Sequence, residues 1–260
     1  MARKAHHKKT EARKGKLRSG FTTGAAAAAA AKGALLALCG EADPREVEIT
    51  FLTGERRRIA LHRLERLGAD AALCTVIKDA GDDPDVTHKA EIGVRLRMDR
   101  SQDGHMLALT GGEGVGRVTK PGLEVAVGEP AINPGPRKMI RQAVEAVFRH
   151  FPPVRPVAVE IFIPKGEELA RKTLNARLGI LGGLSVLGTT GIVRPLSHGA
   201  YVATIEKALS VDRHGGLAEV VLTTGRRSER FAQGVLKHLP EEGFVQIGDF
   251  FQKGLDLAVG

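Results

Sequence analysis

The chain has no tryptophan, one tyrosine and two cysteines among its 260 residues, and aromatic residues make up only 4%. So few rings argue against an aromatic stacking platform and for tight turns with backbone-lined loops. Cys39 and Cys74 form no CxxC pair. No His/Cys cluster has zinc-like spacing, so no protein metal site is expected. Two isolated cysteines fit a reducing, cytoplasmic setting as small core residues. No apolar run approaches the length of a membrane span. Also missing are a G-x-S-x-G elbow, an H-E-x-x-H pair, a G-x-G-x-x-G fingerprint, a Walker lysine and an evident Cys–His nucleophile pair. The chain therefore carries none of the common signatures of acyl, phosphoryl or zinc-dependent chemistry.

What it does carry is glycine, 32 residues of it, and a net charge of +9. The charge is unevenly placed. Residues 1–18 hold eight Lys/Arg against one Glu, so seven of the nine net positive charges sit there. The basic character thus belongs to an arm, expected over residues 1–17 as a solvated disordered tail. A nucleic-acid partner is disfavoured on that distribution, and such binding would vanish with the arm.

The folded part opens on "RSGFTTGAAAAAAAKGALLALCG" (residues 18–40). A basic stretch before a small apolar run resembles an export signal, but this run starts deep, follows Thr22, Thr23 and Gly24, and is broken by Lys32. Alanine is the best helix former and a poor apolar anchor, so the stretch reads as a loop opening onto a helix over 25–38. Short alternating runs at 47–52, 56–61, 71–79, 89–98 and 105–110 predict five strands in succession, a mostly antiparallel α+β unit. A helix follows after Pro134 and Pro136, then a strand at 156–164. The remainder alternates helix and strand: a helix near 200–209, a strand at 218–225, a helix near 228–239, a strand at 244–249 and a helical start at Phe250. This order predicts a parallel, Rossmann-like C-terminal unit with so few strands that it looks incomplete. The expected domains are 18–153 and 154–260.

Several segments stand out. "KDAGDDPDVT" (78–87) crowds Asp79, Asp82, Asp83 and Asp85 beside Lys78. Mutually repelling carboxylates need a compensator: a cation, a positive ligand, backbone donors or solvent. The segment is either an Asp-rich turn or a site, and an EF-hand order is missing. "GGEGVGRVTKPGL" (111–123) brings Gly112, Gly114 and Gly116, which permit close backbone approach, followed by Lys120. "GEPAINPGPR" (128–137) places Asn133 in a stiff loop. "NARLGILGGLSVLGTTGIVRPLS" (175–197) is too glycine-rich for a normal helix and ends near Arg194. Thr-Thr-Gly recurs at 22–24, 189–191 and 223–225, where hydroxyls and N–H groups either cap a helix or hold an anion.

Taken in order, "GFTTG" with its alanine helix, "KDAGDDPDVT", "GEGVGRVTKPGL", "GEPAINPGPRKMI" and "NARLGILGGLSVLGTTGIVRPLS" resemble the cobalt-precorrin-5B C(1)-methyltransferases of anaerobic cobalamin synthesis (CbiD). The resemblance runs from Arg18 onward. It implies methyl transfer from S-adenosylmethionine to ring carbon 1 of a cobalt-bound tetrapyrrole, giving cobalt-precorrin-6A, with cobalt arriving inside the substrate. On that basis Thr22, Thr23, Gly24, Lys78, Lys120, Asn133, Thr189, Thr190, Gly191 and Arg194 are expected to anchor the substrate's carboxylates. Asp82, Asp83 and Asp85, with Gly112, Gly114 and Gly116, are expected beside the cosubstrate. Asp79, Asp82, Asp83 and Asp85 are candidates for any catalytic proton transfer. Two alternatives remain open: a tetrapyrrole-binding relative without activity, and a small-molecule kinase using the loop before the alanine helix for phosphates. The departures are Ala25 and Ala26 where the family has Thr or Cys, Arg226 in place of Asn, and "GDFFQKG" near the end. The family usually continues past the position of Gly260.

Overall fold

Residues 25–31 are alanines with no measurable exposure, and they lie in a helix packed between a second helix and a β-sheet. The computed structural model describes residues 17–40, 43–98, 106–152 and 154–259. The expected basic arm therefore lies, but for its last residue, outside the described residues.

Strand β1 (Gly20–Phe21) leads into helix α1 (Thr23–Leu38), in which every residue but Lys32 is buried. Then come β2 (Glu46–Thr50), β3 (Arg56–Ala60), β4 (Arg63–Arg66), β5 (Ala71–Ile77), β6 (Glu91–Met98), β7 (Leu107–Gly111) and β8 (Arg117–Val118). Helix α2 (Pro134–Phe148) precedes β9 (Val157–Phe162), a short helix α3 (Gly166–Ala170), β10 (Ile180–Leu181) and β11 (Ile192–Val193). The chain continues through α4 (His198–His214), β12 (Val221–Thr223), α5 (Arg226–Val235), a 3₁₀ turn at Glu241–Gly243, β13 (Phe244–Gln246) and α6 (Phe251–Val259).

The main sheet runs in the order β4-β5-β6-β9-β7, antiparallel throughout except for the parallel pair β7 and β9. Helix α2 lies between those two strands in sequence, as a parallel pair requires of its connection. Helix α1 packs on this sheet through β4, β5 and β6, and on α2. Its small side chains set the spacing. A Cβ on Gly33 would lie 2.6 Å from the Leu61 side chain, and one on Gly24 would lie 2.5 Å from the ring of Pro136. Helix α2 answers with an apolar stripe of Met139, Ile140, Ala143, Val144, Val147 and Phe148, all buried. The alternation read from the sequence is kept in β2, where Val47 and Ile49 point inward and Glu46, Glu48 and Thr50 outward.

The C-terminal segment has its own small core of Ile205, Leu209, Val245 and Ile247. There β12 and β13 pair in parallel, joined by α5, and α4 packs against α6.

The unit is mostly antiparallel, as expected, with β7 and β9 as its parallel pair. Two expectations need correction. The five early strands do not form one sheet: β2 and β3 make a separate hairpin, and β4, which alternation did not reveal, takes the edge beside β5. And the strand assigned to the second domain, β9, is hydrogen-bonded between β6 and β7 inside the first sheet. Its run of β-branched and aromatic residues specifies a buried central strand, and local sequence carries no signal for which neighbours it joins.

Enlarging the middle of α1 tests how tightly it is held. Ala28→Leu should destabilise the chain by about 1–3 kcal/mol, the usual cost of overpacking a filled core. Chemical denaturation would read this as a lowered midpoint. An unchanged midpoint would mean that the neighbours of α1 yield freely.

Candidate functional site

The segments with the strongest sequence signal meet one another at the N-terminus of α1. Thr22 caps the helix through its hydroxyl, which accepts from the Ala25 N–H at 3.2 Å. The Thr22 N–H donates to the Gly191 carbonyl at 3.0 Å and the Gly24 N–H to the Leu187 carbonyl at 3.1 Å. The Thr23 hydroxyl accepts from the Leu187 N–H at 3.0 Å and donates to the Leu187 carbonyl at 3.2 Å. Two of the three Thr-Thr-Gly copies are thus joined to each other. Gly188, at φ +139°, lies so close to Thr22 that a Cβ there would be 2.3 Å from its hydroxyl oxygen. Thr190 closes a local turn, accepting from the Ile192 N–H at 3.2 Å, and its carbonyl accepts from Leu52 at 3.0 Å. Thr189 is exposed. The third copy, at 223–225, leads from β12 into α5, where the Ser228 hydroxyl accepts from the Gly225 N–H at 3.1 Å.

The Asp-rich segment completes this junction. The Phe21 N–H donates to the Asp79 carbonyl at 2.7 Å, and Ser19 bridges to Gly81. The Arg18 guanidinium grips both oxygens of Asp79, while the Arg18 N–H donates to Asp82 at 2.7 Å. Asp83 accepts from the Leu196 N–H at 3.0 Å. Asp85 pairs with the Lys78 ammonium and accepts from the Thr87 N–H at 2.7 Å. Each of the four carboxylates therefore has a protein partner, which supplies the compensation that their crowding demands. Arg18 holds Asp79 below the usual carboxylate range. Burial works against the ionised form of Asp85, but the charge of Lys78, with hydrogen bonds from Lys78 and Thr87, outweighs it and holds the carboxyl low.

Lys78 itself is 1% exposed and also donates to the Thr87 hydroxyl at 2.7 Å. The fold encloses its ammonium against Asp85 and Thr87 rather than turning it toward open space, and a charge this buried needs such an internal partner. Gly112, Gly114 and Gly116 likewise face protein. A Cβ on Gly114, at φ +69°, would lie 1.9 Å from the Ile163 carbonyl oxygen, and the Gly114 carbonyl accepts from Leu184 at 2.9 Å. The close approach allowed by these glycines brings loop against loop. Arg194 differs: it is exposed, with no partner among the described residues.

Open space lies on the other side of the 175–197 segment. One cavity of about 270 Å³ is bordered by Val118, Asn133, Leu178, Ser185 and Leu187. Asn133 stands at the start of α2, and its amide donates to Glu124 at 2.8 Å. A second cavity, of about 370 Å³, lies between residues 171–178 and the C-terminal segment. Leu174, Leu178 and Thr204 border both, so the two form one cleft. Arg177 ties its wall to the C-terminal segment, donating to the buried Glu229 and to the carbonyls of Glu241 at 2.8 Å and Phe244 at 2.6 Å. Lys120 pairs with Glu242 at the same seam.

In the second cavity sits Asp212 of α4, 4% exposed, whose Oδ2 has no hydrogen-bond partner among the described residues. Burial first, and then the charge of Glu242, push its carboxyl up to about 6 against the pull of Lys120 and Arg177. Sequence reading missed Asp212, Arg177 and Glu229. Arg177 stood inside a motif already singled out, but Asp212 had no local signal at all.

Asp85→Asn should destabilise the chain by about 3 kcal/mol, the low end for a broken buried pair because Asp85 keeps some contact with water. Its folded carboxyl lies below the ordinary value. The ionised form therefore adds stability that is full above about pH 4, the unfolded value, and is lost as pH falls through the lower folded value. Denaturation midpoints measured from pH 7 to pH 3 should fall less steeply in the variant. A variant as stable as the parent at pH 7 would contradict the pairing.

Comparison with known proteins adds lineage to this geometry. The CbiD family model matches residues 9–195. A cobalt-precorrin-5B C(1)-methyltransferase of Thermus thermophilus is 59% identical over 90% of this chain and 60% of its own length. One from Geobacter metallireducens is 52% identical over 90% of this chain and 66% of its own. This chain thus spans a little under two thirds of these relatives. The crystal structure of a cobalamin biosynthesis protein (cbiD) from Archaeoglobus fulgidus superposes with a TM-score of 0.55 at 27% identity, over 92% of this chain and 73% of that one. With the family match spanning the alanine helix, the Asp-rich segment and the glycine-rich loops, this chain belongs to the CbiD family.

Proposed function

We propose that the protein takes part in methylating ring carbon 1 of cobalt-precorrin-5B, with S-adenosylmethionine as donor and cobalt-precorrin-6A as product. The observation that carries this reading is the 59% identity, along nine-tenths of the chain, to a relative named for that reaction. The cleft fits such ligands in kind. It is largely apolar, its two lobes measure about 270 and 370 Å³, and it contains a buried carboxylate oxygen with no partner among the described residues. We place the protein in the cytoplasm, in keeping with its free Cys39 and Cys74. None of its described helices is long and apolar enough to cross a membrane. We also read β12-α5-β13 as part of a Rossmann-like unit, on the strength of its parallel pairing.

Methyl transfer from a sulfonium forms one carbon–carbon bond, breaks one carbon–sulfur bond and leaves the electron pair on sulfur. Such a step asks for alignment and dryness more than for a strong base. That suits a chain without a catalytic triad. Asp79 and Asp85, held below the ordinary range, are poor proton acceptors; their part is to hold the junction that positions residues 187–196. Arg194 and Thr189, exposed on that segment, are assigned to carboxylates at the substrate's rim. Asn133 faces the smaller lobe of the cleft and Lys120 the seam beside the larger.

The kinase alternative needs free N–H groups at the start of α1, and those of Gly24 and Ala25 already donate within the protein. It loses its phosphate cradle. A binding-only role would leave pigment retention intact without label transfer.

Anaerobic turnover with cobalt-precorrin-5 material and methyl-labelled S-adenosylmethionine tests the reading. Label on the corrinoid, found by mass spectrometry at ring carbon 1, is expected. Folded protein that binds pigment but transfers no label would refute catalysis by this chain. Within an active protein, Arg194→Ala should raise KM for the tetrapyrrole by about tenfold, the loss of one charge-assisted hydrogen bond, with kcat little changed. An unchanged KM would remove Arg194 from the site.

A further inference from the structure

Asp212 is buried in the wall of the 370 Å³ lobe, yet its Oδ2 accepts no hydrogen bond among the described residues. A buried carboxylate without a partner works against folding, and an apolar or amide side chain of similar shape would serve packing better. The charges that act on it come from three other segments: Glu242 of the 3₁₀ turn, Lys120 beyond β8 and Arg177 ahead of β10. Lys120 is paired with Glu242, and Arg177 with Glu229. Both cations are thus committed to other carboxylates. What the free oxygen lacks is a donor from a ligand.

The surroundings narrow the ligand's chemistry. Leu178, Ile205 and Val245 offer an apolar wall for a flat ring. Thr204 and Gln246 add neutral polar groups, and Arg226 brings positive charge, while Arg171 in the same lining is paired with Glu167 at 3.3 Å. A molecule suited to this lobe has a ring system, vicinal hydroxyls or an amine to donate to Asp212, and an anionic end. The volume lies within the range of small-molecule pockets, ~300–1,000 Å³. We infer that this lobe is the methyl-donor site, with Asp212 accepting hydrogen bonds from the nucleoside part of the donor and Arg226 meeting its amino-acid carboxylate. The smaller lobe, which shares Leu174, Leu178 and Thr204, leads from there toward Asn133 and Leu187. The inference rests on the methyltransferase reading above, but it moves the donor away from the Asp-rich segment, whose carboxylates, unlike Asp212 Oδ2, each have an internal hydrogen-bond partner.

Calorimetric titration of the folded protein with S-adenosylhomocysteine is the test. Asp212→Asn should weaken binding at pH 7 at least tenfold. A second readout separates ligand contact from damage to the fold. With the free carboxyl near 6, the parent should bind about tenfold more tightly at pH 7 than at pH 5, because the ionised form is the acceptor. The Asn variant should lose that dependence. Thr204→Leu, which narrows the lobe from the partly exposed face of α4, should also weaken binding and does not touch the buried core. Unchanged affinity and pH dependence in Asp212→Asn would overturn the inference. So would loss of binding in Asp82→Ala/Asp83→Ala with Asp212→Asn unaffected. A parent protein that binds neither S-adenosylhomocysteine nor S-adenosylmethionine would instead refute the donor reading itself, and the inference with it.

Discussion

The packing of α1 is the constraint on which the rest depends. A helix built of alanine and glycine has little apolar surface of its own, and it is stable in the interior only if its neighbours come close. The sheet through β5 and β6 and the stripe on α2 do so, and at Gly24 and Gly33 there is no room even for a Cβ. Close packing also fixes where the N-terminus of α1 emerges. There the Gly24 and Ala25 N–H groups are consumed by the Leu187 carbonyl and the Thr22 hydroxyl, so the glycine-rich segment after β10 is fastened to the core at its middle. The position of the cleft beyond that segment follows from this fastening.

Electrostatics complete the same junction. Four aspartates within seven residues would repel, but Arg18, Lys78 and backbone donors from Leu196, Gly81 and Thr87 neutralise or solvate each in turn. Lys78 is the strongest element because it is buried: neither it nor Asp85 can lose its partner without leaving a charge in low dielectric. The motifs that identify the family are, in this reading, largely the means by which three distant segments hold one another. We propose that ligand chemistry falls to residues nearby with fewer internal commitments.

Much of this was legible in the sequence and some was not. The alanine helix, the α2 stripe after Pro134 and the alternation in β2 follow from local periodicity and were readable. The pairing of β9 between β6 and β7 was not, since a run such as "VAVEIF" fits any buried position in a sheet. The Asp-rich segment was read as needing a compensator, and Lys78 stood beside it in sequence. Arg18, which meets Asp79 across 61 positions, required the fold to find it. Glycines drew attention as ligand-lining positions because close approach is all that sequence can suggest. Whether a ligand or another loop approaches is decided in three dimensions, and at Gly114 the answer is the Ile163 carbonyl. Asp212 lay in an ordinary helical stretch, and only its burial without a partner distinguishes it.

The account's central claim is a division of labour: the motif segments build the junction, and the cleft between residues 171–178 and α4 takes the donor. The most direct measurement is a crystal structure of the protein grown with S-adenosylhomocysteine. The account predicts density along Leu178 and Ile205 with hydroxyls or an amine on Asp212, while Arg18 and Lys78 keep their aspartate partners. Density lodged against Asp82 and Asp83, or among Gly112, Gly114 and Gly116, would contradict it.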